Sequence, residues 1–451
     1  MRRLFSIWWA VAFAMAAVAQ ESEMPDYGDF TVDAQVRSRG EFRTGLSTRI
    51  DGSEAYNLSV NDRVRLGVGW ERKNLSMRIA AQHSGTWYDA SQKNSSGKIA
   101  LHEAWAKMTF GKGFFAQLGR QELVYDDERL FGAHDWDPTG RAHDAIRLGW
   151  GNTLHQVHAI ASFNQSADVV GDLQYDVHVS GTRLYKNMQT LWYRFGADGA
   201  PFHISGLFSN QGVGDVSGKG VNYMQTLGTY MDFAKRKFFC DASVYCQLGS
   251  DRRGDDVRAF MMSANVGMQF TQKWRASIGD DYMSGSDGMP GTNRTFNLLY
   301  GSYHEFLGAM DYFGYGSIPT YGLNDLNAKA AFTPCQKFDM KMALHWFYSG
   351  RPINNYLKKP LEELTDPAKI AIMRRYNGKY RLQQHLGGEL DIEASYRPWN
   401  FLTLRGGISM MIASESMQLF KGEEASTFQS QGWLSFDLNP TVFSTKHRRK
   451  L

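Results

Sequence analysis

The sequence has little of what marks the common soluble classes. Its 451 residues include only 3 Cys and 11 Pro. Cys240 and Cys246 lie on one face of an alternating run, about 20 Å apart along a strand at the usual rise. They cannot pair with each other, because a disulfide holds its Cα atoms within about 7 Å. No disulfide framework or metal-ligating Cys/His spacing is present. The net charge of +4 is too slight to imply a nucleic-acid partner. After residue 20 no apolar run approaches the roughly 20 residues of a membrane helix. His102, His143, His155, His158, His203, His304 and His345 are scattered, and no Ser stands in a Gly-x-Ser-x-Gly context. Without a nucleophile–base constellation the chain does not read as an enzyme, and it calls for no cofactor. No repeat of 20–50 residues points to a solenoid or propeller. No N-terminal plug domain points to a plugged 22-stranded transporter.

What is present is an unusual combination: 14% aromatics and 45 Gly with a negative mean hydropathy. Half-apolar alternating strands hide their hydrophobicity from a window average. The first residues form a separate unit. Met1-Arg2-Arg3 precedes an apolar run from Leu4 to Val18, and Ala17-Val18-Ala19 precedes Gln20. A basic start, an apolar core and an Ala-x-Ala end are the parts of a cleaved secretory signal. The expected divisions are a signal peptide at 1–19, a periplasmic segment at 20–28, a barrel at 29–443 and a basic tail at 444–451.

Alternation runs through most of the mature chain. Phe30, Val32, Ala34, Val36 and Phe42 oppose Thr31, Asp33, Gln35, Arg37, Arg39, Glu41 and Arg43. So many polar residues on one strand face suit a water-filled lumen and not a packed sandwich. Phe238, Cys240, Ala242, Val244, Cys246 and Leu248 likewise alternate with Phe239, Asp241, Ser243, Tyr245 and Gln247. Residues 99–110 set Leu101, Glu103, Trp105 and Lys107 against Ala104, Ala106, Met108 and Phe110, and the phase of 114–124 slips near Gly119. Leu386, Leu390, Ile392, Ala394 and Tyr396 form one face, with Glu389, Asp391, Glu393 and Arg397 on the other. Period two excludes helices.

Connector lengths give the count. Eight short turns (71–74, 111–113, 150–153, 197–200, 234–237, 271–273, 333–336 and 397–400) alternate with nine long polar connectors. The nine are 44–57, 85–98, 125–142, 164–187, 210–221, 250–257, 285–325, 349–384 and 413–428. Seventeen connections imply eighteen strands of an up-and-down antiparallel transmembrane β-barrel, with short periplasmic turns and long extracellular loops. Residues 173–184 could add two more strands. Loops 285–325 and 349–384 could fold over or into the mouth.

One stretch carries a resemblance. Gly119-Arg120-Gln121 is followed by Arg129-Leu130-Phe131-Gly132, Asp135-Trp136, Gly140-Arg141 and Asp144. A second runs Ser284-Gly285, Leu299-Tyr300-Gly301, His304, Phe306, Gly308 and Met310-Asp311-Tyr312-Phe313. The first resembles the alginate-export family of outer-membrane barrels, and the second the form found in Bacteroidetes-type bacteria. The resemblance spans about residues 27–443 and itself implies eighteen strands. It also implies an anionic polysaccharide such as alginate as passenger, a strongly basic lumen, and a family-motif loop carrying Arg129, Asp135, Trp136, Arg141 and Asp144.

Alternation expects Arg37, Arg39, Arg43, Arg63, Arg65, Arg78, Arg120, Arg147, Arg194, Arg275 and Arg405 to line the lumen as anion-binding groups. Arginine keeps its charge and grips carboxylates bidentately, and Arg or Lys rings make anion pores. Asp339, Glu389, Asp391, Glu393 and Asp437 are expected to form an acidic arc. Closure sets that arc beside the basic one, so the lumen would carry a transverse field, which departs from a uniformly basic exporter. Asp126, Asp127, Asp135 and Asp137 could offer oxygens to Ca²⁺, although a solvated loop locked by Arg129 and Arg141 accounts for them without a metal. The expectation is an outer-membrane channel for an anionic or polar solute. The alternatives are a general porin with a polarised constriction, and a structural or surface-binding barrel whose long loops carry the function. Its partners would be outer-membrane lipid, the solute and periplasmic scaffold proteins, with a monomeric barrel.

Overall fold

A computed structural model describes residues 27–44, 57–87, 98–163, 185–216, 220–286, 291–313, 319–352, 383–414, 416–417 and 428–446. The signal-like segment, most of loop 349–384 and residues 173–184 therefore lie outside the described residues. The chain begins with β1 (Asp29–Thr44), β2 (Asn57–Arg72), β3 (Leu75–Thr86), β4 (Lys98–Phe110) and β5 (Phe114–Gln121). It continues through β6 (His143–Gly151), β7 (His155–Phe163), β8 (Asn187–Phe195), β9 (Phe202–Gly214) and β10 (Val221–Lys235). Next come β11 (Phe238–Ser250), β12 (Asp256–Gln269), β13 (Trp274–Met283) and the two-residue β14 (Thr292–Asn293). The last are β15 (Leu323–Cys335), β16 (Phe338–Tyr348), β17 (His385–Trp399), β18 (Leu402–Ala413), β19 (Phe428–Leu438) and the short β20 (Thr441–Ser444).

All but β14 and β20 are staves of one closed barrel, eighteen in number. Each stave pairs antiparallel with its neighbours, and β19 closes on β1 with Arg37 opposite Asp437. Closure leaves no sheet edge in the membrane, which is why such a half-polar chain can cross one. At one end the strands are joined by turns no longer than residues 196–201, and at the other by the long connectors. In outer-membrane barrels the long connectors lie outside.

Parity sorts the side chains as expected. Leu66, Ile79, Leu118, Ile146, Ile278, Ile408 and Leu434 point outward and are exposed, while Arg63, Gln247, Asp325 and Glu389 point inward and are fully buried. Three details differ from the alternation. His102 forms a bulge between Ala80 and Ala81 of the β3–β4 ladder, so Leu101 turns out to the lipid side and His102 turns in. An extra residue shifts phase by one and swaps faces. Gly119 causes no slip: pairing continues through it to Arg120 opposite Asp144. Its φ of +120° and the Ala104 carbonyl 2.2 Å from where a Cβ would stand explain the glycine. Leu386 sits at a second bulge, skipped between Phe347 and Tyr348, and is buried, not lipid-facing.

The barrel is not an open pipe. Residues 122–142 and 291–313 fold inward and join: Tyr300 N–H donates to Leu130 O at 2.9 Å, and Gly132 N–H donates to Tyr300 O at 3.0 Å. Phe131, Phe296, Tyr300, Leu307, Met310 and Phe313 then pack on inward residues of the outer strand halves, including Met188, Tyr245, Met261, Met283 and Phe347. The chain's apolar core thus lies inside the barrel, where alternation alone places a polar lumen.

Candidate functional site

The inward loops are held by charged groups on the barrel wall. Arg37 and Arg63 are directly opposite on β1 and β2. Asp135 accepts from Arg37 at 3.0 Å and from Arg63 at 2.6 Å, while Asp437 holds Arg37 from the other side at 3.0 Å. Arg129, fully inside, bridges Asp127 at 2.8 Å and Asp281 at 2.7 Å and lies 4.1 Å over the Phe306 ring. Arg141 donates to Gly301 O, and Trp136 stacks on His304 at 4.3 Å. The second loop docks on the acidic arc. Met310 N–H donates to Glu389 at 2.7 Å and Ala309 N–H to Asp391 at 3.2 Å. Gly308, with φ +86°, lets the backbone pass there, since a Cβ would stand 2.7 Å from Glu389.

Many of the expected lumen arginines are thereby occupied. Arg78 pairs with Asp33 and Glu103, Arg39 and Arg43 share Glu41, and Arg39 also lies over Trp433. Arg65 donates to Gln82, Arg147 to Gln117 and Arg194 to Asp198. Arg120 is a correction. It shares parity with Leu118 and points out of the barrel, where it grips Asp144 at 2.8 Å and the Leu101 carbonyl. Neither Arg120 nor Asp144 touches the lumen, because the continuous β5–β6 register keeps both on the outer face. The calcium reading also loses its basis. Asp126 accepts from Trp192, Asp127 from Arg129 and Asp135 from two arginines, while Asp137 caps Thr139. Among the described residues no three such side chains gather to hold a metal.

Space remains between the second loop and the wall from β11 round to β1. Two cavities of about 360 and 290 Å³ share His304, Glu305, Lys341 and Glu393 in their linings. Arg275 and Lys329 line the first, and Arg39 and Arg405 the second. Among the described residues Arg275, Lys329, Lys341 and Arg405 form no ion pair, unlike Arg37, Arg63 and Arg78. Glu305, Glu393 and Asp391 line the same space, and Glu393 is the direct neighbour of Lys341 on the next strand. Lys329 and Lys341 also lie at inward parity, which alternation alone makes visible. His304, set in the partition, is pushed down by burial, but the Asp311 carboxylate 3.1 Å away, helped by Glu393, more than offsets this and raises its pKa above the ordinary 6.5. A third cavity, about 510 Å³, lies against β6–β10 and shares no lining residue with the other two.

With this geometry in view the comparisons are decisive on family. The alginate export family matches residues 29–410. The chain belongs to the alginate export family. No curated protein sequence matches it. Among solved structures it resembles Pseudomonas aeruginosa OccK9 (OpdG), with a TM-score of 0.58 at 9% identity over 91% of this chain and 98% of that one. It also resembles P. aeruginosa OccK2 (OpdF) in complex with glucuronate, with a TM-score of 0.58 at 11% identity over 92% and 98%. A third is the P. aeruginosa outer membrane protein opdK, with a TM-score of 0.57 at 8% identity over 91% and 98%. At such identities the likeness is one of fold. Family and fold together are those of an outer-membrane transport barrel and not of an enzyme.

Proposed function

We propose that this alginate-export family member is an outer-membrane channel for small anionic solutes, with a carboxylated sugar as the best-fitting class. The observation that carries the reading is the set of four cations, Arg275, Lys329, Lys341 and Arg405, that line two adjoining cavities and form no ion pair among the described residues. In a narrow lumen such charges lower the barrier for an anion, and the neighbouring Glu305 and Glu393 keep its binding weak enough for release. A cavity near 360 Å³ is in the size range that holds one small molecule. The glucuronate in one structural neighbour is of the same chemical class.

A second reading, an extended polyuronate such as alginate, is favoured by the family itself. The inward-folded loops count against it, since a polymer has to thread past the Phe131–Tyr300 junction. Secretion through the signal-like segment 1–19 and a periplasmic scaffold partner belong to this proposal. Liposome swelling with glucuronate, glucose and an oligouronate separates the readings. The proposal expects glucuronate to enter fastest. Equal entry of glucuronate and glucose supports a general porin, and no entry at all supports a barrel whose outer loops hold the function.

A further inference from the structure

The end of the barrel with the short turns is strongly basic. Its eight turns, from 72–75 round to 399–402, carry eight Lys or Arg and one carboxylate, Asp198. That excess is larger than the net charge of the whole chain, +4. Lys73, Lys112, Lys235, Arg236, Lys237 and Lys273 are exposed there, and among the described residues none of the six forms an ion pair.

Three of these cations stand where the backbone disfavours a long side chain. Lys73, Lys112 and Arg236 take φ of +48°, +65° and +59°, and such positions in short hairpin turns favour Gly or Asn. Lys112 does so between Gly111 and Gly113. The turns also set the cations at the level of an aromatic girdle. Phe110 and Phe114 bracket Lys112, Phe238 follows Lys237, and Trp274 follows Lys273; all four rings are exposed on the outward face. Lys235 ends the outward face of β10 directly opposite Phe238. Aromatic girdles mark the membrane interface, and a Lys stem can lie along apolar surface while its ammonium reaches the headgroups.

We propose that this rim binds anionic phospholipid headgroups of the periplasm-facing leaflet, with the phosphate as the group it holds. A basic side chain beside a membrane surface gains about fivefold in affinity for anionic lipid. The choice of lipid over a docked protein rests on placement. The six cations fall on four turns, two within β2–β5 and two within β10–β13, on nearly opposite sectors of the wall. A protein partner meets one sector, whereas lipid surrounds the whole barrel. The solute cavities are lined by other cations, Arg275, Lys329, Lys341 and Arg405.

The test is native mass spectrometry of the intact barrel in detergent, offered phosphatidylglycerol and phosphatidylcholine with the same acyl chains. The wild type is expected to retain phosphatidylglycerol with a preference of about tenfold or more. The rim variant combines Lys73→Asn, Lys112→Asn and Arg236→Asn with Lys235→Gln, Lys237→Gln and Lys273→Gln. Asn suits the three left-handed positions, so this variant should fold and stay heat-modifiable on gels, while its preference falls to about twofold or less. Neutralising Arg275, Lys329, Lys341 and Arg405 to Gln should leave the lipid preference unchanged, whatever it does to solute selectivity. No preference in the wild type, a preference that survives in the rim variant, or one lost equally in the lumen variant would each overturn the proposal. So would an acidic protein that co-purifies with the wild type and not with the rim variant while lipid shows no preference.

Discussion

Arg37 and Arg63 face each other across the β1–β2 ladder, and the single carboxylate of Asp135 bridges their guanidiniums. Two like charges in directly opposed positions repel, so the folded-in loop adds a second counterion to the one that Asp437 supplies from the wall. Asp135→Ala should therefore loosen loop 122–142 as well as lose an ion pair. Removing one partner from a buried pair costs roughly 3–5 kcal/mol. Asp135 is about half exposed (52%), so a loss of about 1–3 kcal/mol is expected after screening. The heat-modifiability midpoint measures it, and Asp135→Ala combined with Arg63→Gln should recover part of the loss.

Docking of the second loop depends on backbone N–H groups reaching Glu389 and Asp391. Gly308→Val puts a branched side chain where a Cβ already meets Glu389 at 2.7 Å, at a φ of +86°. The loop should lift, and single-channel conductance should rise at least twofold with the barrel intact. Unchanged conductance would mean that the loop does not limit the passage.

Acidity should tighten the same loop. His304 has its pKa raised in the folded protein, so its pairing with Asp311 contributes stability that is complete below the unfolded value near 6.5. That contribution is lost as pH rises through the folded value. Compared with His304→Gln, the wild-type melting midpoint should be higher at about pH 5.5, and the difference should shrink at alkaline pH. A difference that grows with pH contradicts the pairing.

Arg120 supplies a negative control. It points to the outer face and pairs with Asp144. Arg120→Gln should leave the reversal potential in a salt gradient unchanged, although the residue belongs to the family motif.

How much of this was legible in the sequence differs by element. The eighteen staves, and the parity that sets Arg37 inside and Leu66 outside, follow from period two and connector length, because each strand carries its own record of two solvents. The bulges at His102 and Leu386 were not legible, since one inserted residue changes facing without changing composition. Nor does alternation show that residues 122–142 and 291–313 enter the barrel. Inward Met261, Met283 and Phe347 are apolar at positions expected to be polar, and that was the available signal. The distinction between paired and unpaired lumen cations is tertiary: Arg63 and Arg405 have the same parity and different neighbours. Arg120 differs from the expectation for a related reason: its residue type suits a lumen, but its phase is that of the outward Leu118.

The most direct test of the account is the reversal potential of purified channels in planar bilayers across a salt gradient. Neutralising Arg275, Lys329, Lys341 and Arg405 together to Gln removes the cavity-lining cations that form no ion pair among the described residues. Such charges act within the Debye length of about 8 Å at physiological salt, so the quadruple variant should lose anion preference or become cation-selective. Glu305→Gln with Glu393→Gln should shift selectivity the other way. If both variants fold and keep the wild-type reversal potential, these charges do not select the solute, and the channel proposal fails in its central claim.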